Sequence, residues 1–448
     1  MSNGQPRGSS LFSGAILIFV GTILLLHNYR GLDLRAVLYH WWPLILIFWG
    51  ALKLYERTIS SRSGGAGGAR ITPGEVFLVL GLMALIGAVV TTEKVKEQVG
   101  DWTGDWGNAI ETDLDVSPMA VPANARVAIQ AARGTISVRS SDEPEIRVNG
   151  KKGAKSWNEN EAKRLTDRAS VEIAKNGDGY EVRSASGNEP RVSTDMDVVV
   201  PKKAVVTVRN DKGNISVADM GTSVSVYAGN GDVEVRNTVG DVNLDMRRGD
   251  AKVTSTKGDV KVSGGGDSVE VSDTTGSLTV NGNFVGPVSA NKIAKGVRFV
   301  SHRTDFTLTQ LSGHMEAGSG NIEVVDAPGN LNLRTHEEEI SLENVSGKIK
   351  IENRNGNIEV RFSSAPKEDV EINNASAAIS LSMPSGSTFE LVADSHSGDV
   401  DSEFESDSLK QTSTESGDSH IEGKYGSGRG PKITLRTSYG AISLHKNN

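Results

Sequence analysis

The chain contains no cysteine. Disulfides and thiolate metal sites are therefore excluded, and thiols give no reading of redox compartment. Aromatic residues are scarce at 5%, and all six tryptophans lie at or before residue 157. The rest of the chain thus lacks tryptophan platforms for sugar rings, and Tyr227, Tyr425 and Tyr439 are scattered. A concentrated basic face is missing too. Residues 1–92 carry 7 Lys/Arg against 3 Asp/Glu, and the remainder 41 against 53, so the large part of the chain is acidic, at −12. That argues against nucleic acid as a partner, which needs clustered positive charge.

The common catalytic signatures are absent as well. There is no Walker A loop, no G-x-G-x-x-G and no G-x-S-x-G elbow. His336-Glu337-Glu338-Glu339-Ile340 starts like a zinc helix but has no second histidine. Gly264-Gly265-Gly266-Asp267 occurs once, without the recurrent aspartates of a calcium-binding repeat. The expectation is a protein that is not an enzyme, with no catalytic residue, no cofactor-binding residue, no metal ligand and no cofactor.

What the chain does have begins with three apolar stretches, at about 11–27, 36–54 and 74–92. Each approaches the roughly 17–25 residues that cross a bilayer core, and no charge interrupts their apolar centres. Trp41, Trp42 and Trp49 sit in or near the ends of the second stretch, where indole rings favour the headgroup interface. Arg7 precedes the first stretch, but no small-x-small cleavage site follows it, so it reads as an uncleaved helix. The loop after the second stretch holds Arg57, Arg62 and Arg70, with Lys53 at its edge, whereas the loop before it holds Arg30 and Arg35. The richer loop belongs in the cytoplasm. The N-terminus is then cytoplasmic and everything beyond residue 92 is extracytoplasmic. Residues 60–68, rich in Gly and Ser, read as a flexible link.

Residues 93–120 read as a juxtamembrane linker, and 121–194 as a small α/β lead-in. Strands are expected there near 126–130, 135–139, 145–149, 171–174 and 180–183, with a polar helix over 156–169 whose apolar contacts are Trp157 and Leu165. From about residue 195 to 448 the chain is periodic. A unit of Gly, then Asn or Asp, then aliphatic-polar-aliphatic recurs, as in Gly213-Asn214-Ile215-Ser216-Val217 and Gly231-Asp232-Val233-Glu234-Val235. Glycines 231, 240, 249 and 258 are nine apart; so are 320 and 329, and 347 and 356, with Glu338 standing in register between the last two pairs. Ile-x-Val alternation points two aliphatic side chains to one face. One nine-residue unit cannot bury that face alone, but coils stacked ~4.8 Å apart bury a continuous core. The fold class expected is all-β, a parallel β-solenoid, with two or three units per coil and the Asn and Asp residues capping turns. Segment 432–444 reads as the last rungs and a cap.

Two resemblances rest on these residues. Segment 11–54, with Gly14-Ala15-Ile16-Leu17 and Trp42-Pro43-Leu44-Ile45-Leu46-Ile47, resembles the LiaI/LiaF-like (DUF5668-type) transmembrane region of bacterial envelope-stress proteins. Segment 120–446 resembles the bacterial adhesin-like DUF4097 β-helix family, through Asp197-Val198-Val199-Val200-Pro201, the repeated rungs and Ser438-Tyr439-Gly440-Ala441-Ile442. The resemblances imply a multi-pass protein of the bacterial inner membrane with an adhesin-like or scaffolding body, whose partners are the lipid bilayer and envelope proteins. They leave two alternatives: a regulator acting on a sensor kinase or anti-sigma factor through its helices, and a β-helix that binds or cleaves cell-surface glycan.

Overall fold

The computed structural model describes residues 108–156, 158–185, 189, 191–318, 320–415 and 417–447. The three expected membrane helices, the linker as far as residue 107, and Trp157 lie outside them. Among the described residues no helix is long and apolar enough to cross a membrane.

The periodic segment folds into two sheets that face each other. In sheet one, Ile215–Ala218, Val233–Thr238, Ala251–Thr256, Val269–Thr274 and Val288–Ile293 lie side by side in parallel register. In sheet two, Val205–Lys212, Val224–Asn230, Val242–Arg248, Val260–Gly266, Leu278–Phe284 and Val297–Val300 do the same. Ile215 pairs with Val233, and Val224 with Val242, so one coil is 18 residues long and holds two of the nine-residue units. Each unit supplies one strand, and successive units alternate between sheets. The aliphatic positions therefore point into a single shared core: Val233, Val235, Val242 and Leu244 are all at most 2% exposed. Full burial of such a side chain stabilises by about 1.5–3 kcal/mol relative to exposure.

The corners explain the glycines. Gly231 and Gly249 have φ of +147° and +110°. They also stack on one another: a Cβ on Gly249 would lie 2.4 Å from the Gly231 carbonyl oxygen. Gly258 and Gly276 are not needed for φ but for space, with Cβ positions 2.3 and 2.1 Å from the carbonyl oxygens of Gly240 and Gly258. At the corners backbone lies directly on backbone, and a side chain has nowhere to go.

The Asn and Asp beside each glycine cap, but not within their own turn. The Asn214 Oδ1 accepts the Asp232 N–H at 2.9 Å, Asp232 Oδ1 accepts from Asp250 at 3.0 Å, and Asp250 Oδ1 from Ser268 at 2.9 Å. A second ladder runs from Ser223 through Asp241 and Asp259 to Ser277. Every step spans 18 residues, so these side chains tie each coil to the next. Asp259 shows what the bond does to the acid. The Ser277 N–H at 2.8 Å, and its hydroxyl, hold the Asp259 carboxyl below the usual aspartate range. A depressed folded-state pKa stabilises above the unfolded value of about 4 and loses that contribution as pH falls through the folded value. Asp259→Asn keeps an accepting oxygen and removes the titration. It is expected to lose less of its urea midpoint than the wild type as pH falls from about 5 to 2.

Strands are not parallel throughout. Asp305–Leu308 runs antiparallel both to Val297–Val300 and to Leu331–Arg334, and Leu311–Ala317 runs antiparallel to Val288–Ile293 and to Asn321–Ala327. One coil is thus traversed backwards between two parallel stacks. Its core anchor is Phe306, fully buried between Phe299 and Leu333 in the neighbouring strands.

Both ends differ from the expected boundaries. Residues 108–120, expected as linker, contain Asn108–Asp113 and Met119–Ala120, which pair antiparallel with Glu145–Ser156. Arg126–Ala131 and Ile136–Ser141 already form a coil in register with Val205–Lys212 and Ile215–Ala218. The helix of the lead-in region is Glu159–Arg168, capped by Asn158, whose side chain accepts the Asn160 N–H at 3.0 Å. It seats Leu165 against Ala154, Ala169 and Val192. At the other end, Lys432–Tyr439 and Ile442–Asn447 are not the last rungs. They slot between Val370–Ser376 and Phe389–Ser395 in sheet two, and between Ile379–Pro384 and Val400–Ser402 in sheet one. The hairpin of Leu409–Ser413 and Ser419–Tyr425 lies outside them.

Candidate functional site

The displaced rung at the C-terminal end creates a groove of about 660 Å³. Along each sheet-two strand the third inward position falls at the corner. In the first stack that position is Asn210, Ala228, Met246, Gly264 and Gly282, in register. In the last rungs it is Asn353, Asn374, Thr437, Ser395 and Ser419. These five are buried yet polar and short, so the corner sinks into a trough instead of filling with hydrocarbon.

Most of the floor is held by bonds to the turn backbone. Asn353 Nδ2 donates to the Glu338 carbonyl at 2.9 Å, Asn374 Nδ2 to the Gly356 carbonyl at 3.0 Å, and Ser395 Oγ to the Gly440 carbonyl at 2.8 Å. The Asn374 side chain is the incomplete one: the residue is 3% exposed and its Oδ1 has no partner. An unpaired buried acceptor costs about 1–3 kcal/mol.

One wall is the outward row Glu352, Asn373, Arg436, Asp394 and His420, paired strand to strand. His396, Asp418 and Ser438 stand on the other side of the floor. The titratable side chains contact one another. Asp394 contacts His420 and lies 3.4 Å from Arg436 Nε; His396 contacts Asp418. Glu352 lies 2.8 Å from Arg334 and 3.3 Å from Lys350, and those two hydrogen bonds, Arg334 first, hold its carboxyl below the usual range.

This arrangement is made for hydrogen bonding. His420 Nδ1 faces Asp394 and its Nε2 lies 3.4 Å from Glu422, so neither ring nitrogen faces a serine or threonine hydroxyl. Among the described residues no three His, Asp or Glu side chains are grouped to hold a metal ion. The segment 336–340 is not helical: Glu338 is buried at a corner and Glu339–Val345 is a strand of sheet one.

The tyrosines noted in the sequence go to separate places. Tyr227 is covered by the Arg209 guanidinium at 5.0 Å, and Tyr425 packs with Phe389 and Phe404 under Lys446. Tyr439, next in the chain to the lining residue Ser438, is 64% exposed. Sequence reading did not find the groove, whose residues lie as far apart as 352 and 438. The available signal was the Asn, Ser or Thr that ends rungs such as Ile349-Lys350-Ile351-Glu352-Asn353.

Comparison with known proteins adds the following. Residues 12–99 match the LiaF transmembrane domain, which associates the chain with a membrane. No curated protein matches. Solved structures that resemble it include a "putative cell adhesion protein" from Clostridium sporogenes, at 8% identity and a TM-score of 0.17, covering 76% of this chain and 100% of that one. Another is a "putative adhesin" from Bacteroides fragilis, at 10% identity and a TM-score of 0.21, covering 75% and 97%. A third, a "putative adhesin" from Parabacteroides distasonis, is 9% identical with a TM-score of 0.21 and covers 76% and 98%. Residues 124–445 match the Toastrack DUF4097 family model, and with nearly all of its coiled strands inside that match the chain belongs to this family.

Proposed function

We propose that this is a non-enzymatic, multi-pass protein of the bacterial inner membrane that presents its β body outside the cytoplasm as an adhesin-like or scaffolding surface. One observation carries the reading: a segment matching a transmembrane domain, 12–99, comes directly before the β family segment, 124–445. Three helices at about 11–27, 36–54 and 74–92 would cross the bilayer, with the N-terminus and loop 60–68 in the cytoplasm. The body would act by binding envelope proteins, since stacked coils offer a long continuous face.

The lack of cysteine makes the test clean, because every introduced thiol is the only one. In spheroplasts, a membrane-impermeant maleimide is expected to label Ser408→Cys at once and Ser63→Cys only after lysis. The opposite pattern overturns the proposed orientation, and equal labelling of both overturns the anchoring.

The match to the LiaF transmembrane domain favours a second reading, in which the helices regulate a sensor kinase or anti-sigma factor. A photo-cross-linker placed in the third apolar stretch that captures a histidine kinase would put this reading first. Capture of envelope components from residue 408 alone would keep it second.

A further inference from the structure

We infer that the groove at the C-terminal end of sheet two binds a neutral glycan chain. This rests on the reading of the body as a surface for non-covalent binding and gives that surface a ligand class.

The lining chemistry selects the ligand. Ala375 is the one aliphatic side chain on it; the others are amides, hydroxyls, carboxylates, imidazoles and a guanidinium. With no aliphatic side chain larger than alanine, the groove offers an amphipathic helix or an apolar peptide no large apolar side chain to pack against. No charged side chain of the groove stands alone: Arg436 lies against Asp394, and Asp394, Asp418 and Glu352 contact His420, His396 and Arg334. What remains is a dense set of donors and acceptors held in fixed directions by their mutual contacts. Hydroxyl groups, each both donor and acceptor, are the partners such a set satisfies.

The shape selects a chain over a single small polyol. The wall row of Glu352, Asn373, Arg436, Asp394 and His420 crosses five neighbouring strands. At about 4.8 Å per strand it runs for roughly 19 Å, the length of several sugar rings. The floor beneath the row is polar as well, with the short side chains of Asn353, Asn374, Ser395, Ser419 and Thr437 in place of aliphatic ones. Tyr439, next in the chain to the lining residue Ser438, is exposed. With no tryptophan among its lining residues, binding is expected to be weak, in the millimolar range, and to gain strength from many copies on one membrane.

The test uses the full chain in lipid nanodiscs and saturation-transfer NMR. The probes are cellotetraose and tetra-N-acetylchitotetraose, with tetragalacturonate and a tetralysine peptide as charged comparators. Transfer to at least one neutral tetrasaccharide is expected, with none to the peptide. Asn373→Leu and His396→Leu, both side chains at the surface of the groove, are expected to weaken it at least about tenfold. Ser341→Leu, exposed on sheet one, should leave it unchanged. An unaltered urea midpoint shows that the variants are folded. No transfer to either neutral sugar, equal affinity in the groove variants, or displacement of the sugar by tetralysine or tetragalacturonate overturns the inference. Because binding in nanodiscs is independent of which side of the cell membrane the body occupies, failure here leaves the maleimide result standing, and the reverse also holds.

Discussion

Gly249→Val is expected to destabilise the β body by about 2–5 kcal/mol, through two costs that fall on the same atom. The residue sits at φ +110°, where a β-branched side chain is an outlier. Its Cβ would also stand 2.4 Å from the carbonyl oxygen of Gly231 and 2.6 Å from that carbonyl carbon. Neither neighbour can swing away, because both are backbone of the adjoining coil. The coil spacing would have to open at that corner. The ladder from Asp232 to Asp250, a 3.0 Å bond that depends on that spacing, would weaken with it. Urea unfolding of the detergent-solubilised full chain measures the loss. Gly386→Ala is the matching control: its Cβ meets nothing within 4 Å and no positive φ is required there. It is expected to be neutral or to gain up to about 1 kcal/mol from the stiffer unfolded chain. If the two substitutions behave alike, stacking of the corners is not what selects glycine in this fold.

Phe306→Ala should cost about 3–5 kcal/mol, the range for emptying a fully buried aromatic site. The effect on cooperativity is expected to be larger than the figure suggests. Phe306 belongs to the one coil traversed backwards, and it is the contact between the strands of Phe299 and Leu333. In a stacked array each coil is stabilised only by its neighbours, so a weak coil in the middle divides the array into two. The variant is predicted to unfold in two steps in urea. Amides of 205–300 and 321–447 should exchange with different protection, where the wild type is expected to show one shared transition. A single transition with a lowered midpoint would mean that the reversed coil couples the stacks through its backbone bonds alone.

Much of this architecture could be read from one line of residues. Gly-Asp-Val-Glu-Val repeated every nine positions implies short strands, one buried face and stacked coils, because alternation and turn chemistry act within a few residues of each other. The strands at 126–130 and 180–183 and the helix capped by Asn158 follow for the same reason. The break in spacing between Gly276 and Gly320 marked where something changes, but not that the chain turns back on itself there. Both directions bury the same aliphatic face, so periodicity is blind to the choice. Asp250 shows a similar limit. Its role as a cap is plain from its place beside glycine, yet its partner, Ser268, is a coil away.

The groove lies beyond that limit altogether. Asn353, Asn374, Ser395, Ser419 and Thr437 are short polar residues at rung ends, which in sequence reads as ordinary strand termination. They form one floor only because the segment 432–447 inserts between coils made earlier in the chain and places Thr437 between Asn374 and Ser395. Sequence alone determined the repeat, the strand faces, the corner residues and the apolar segments ahead of them, since each follows from local sterics and from which side chains avoid water. The tertiary structure decided the coil length, the reversed coil and the order of the last rungs. These depend on which backbone edges meet across tens of residues, and hydrogen bonds between strands are the same whatever side chains the strands carry.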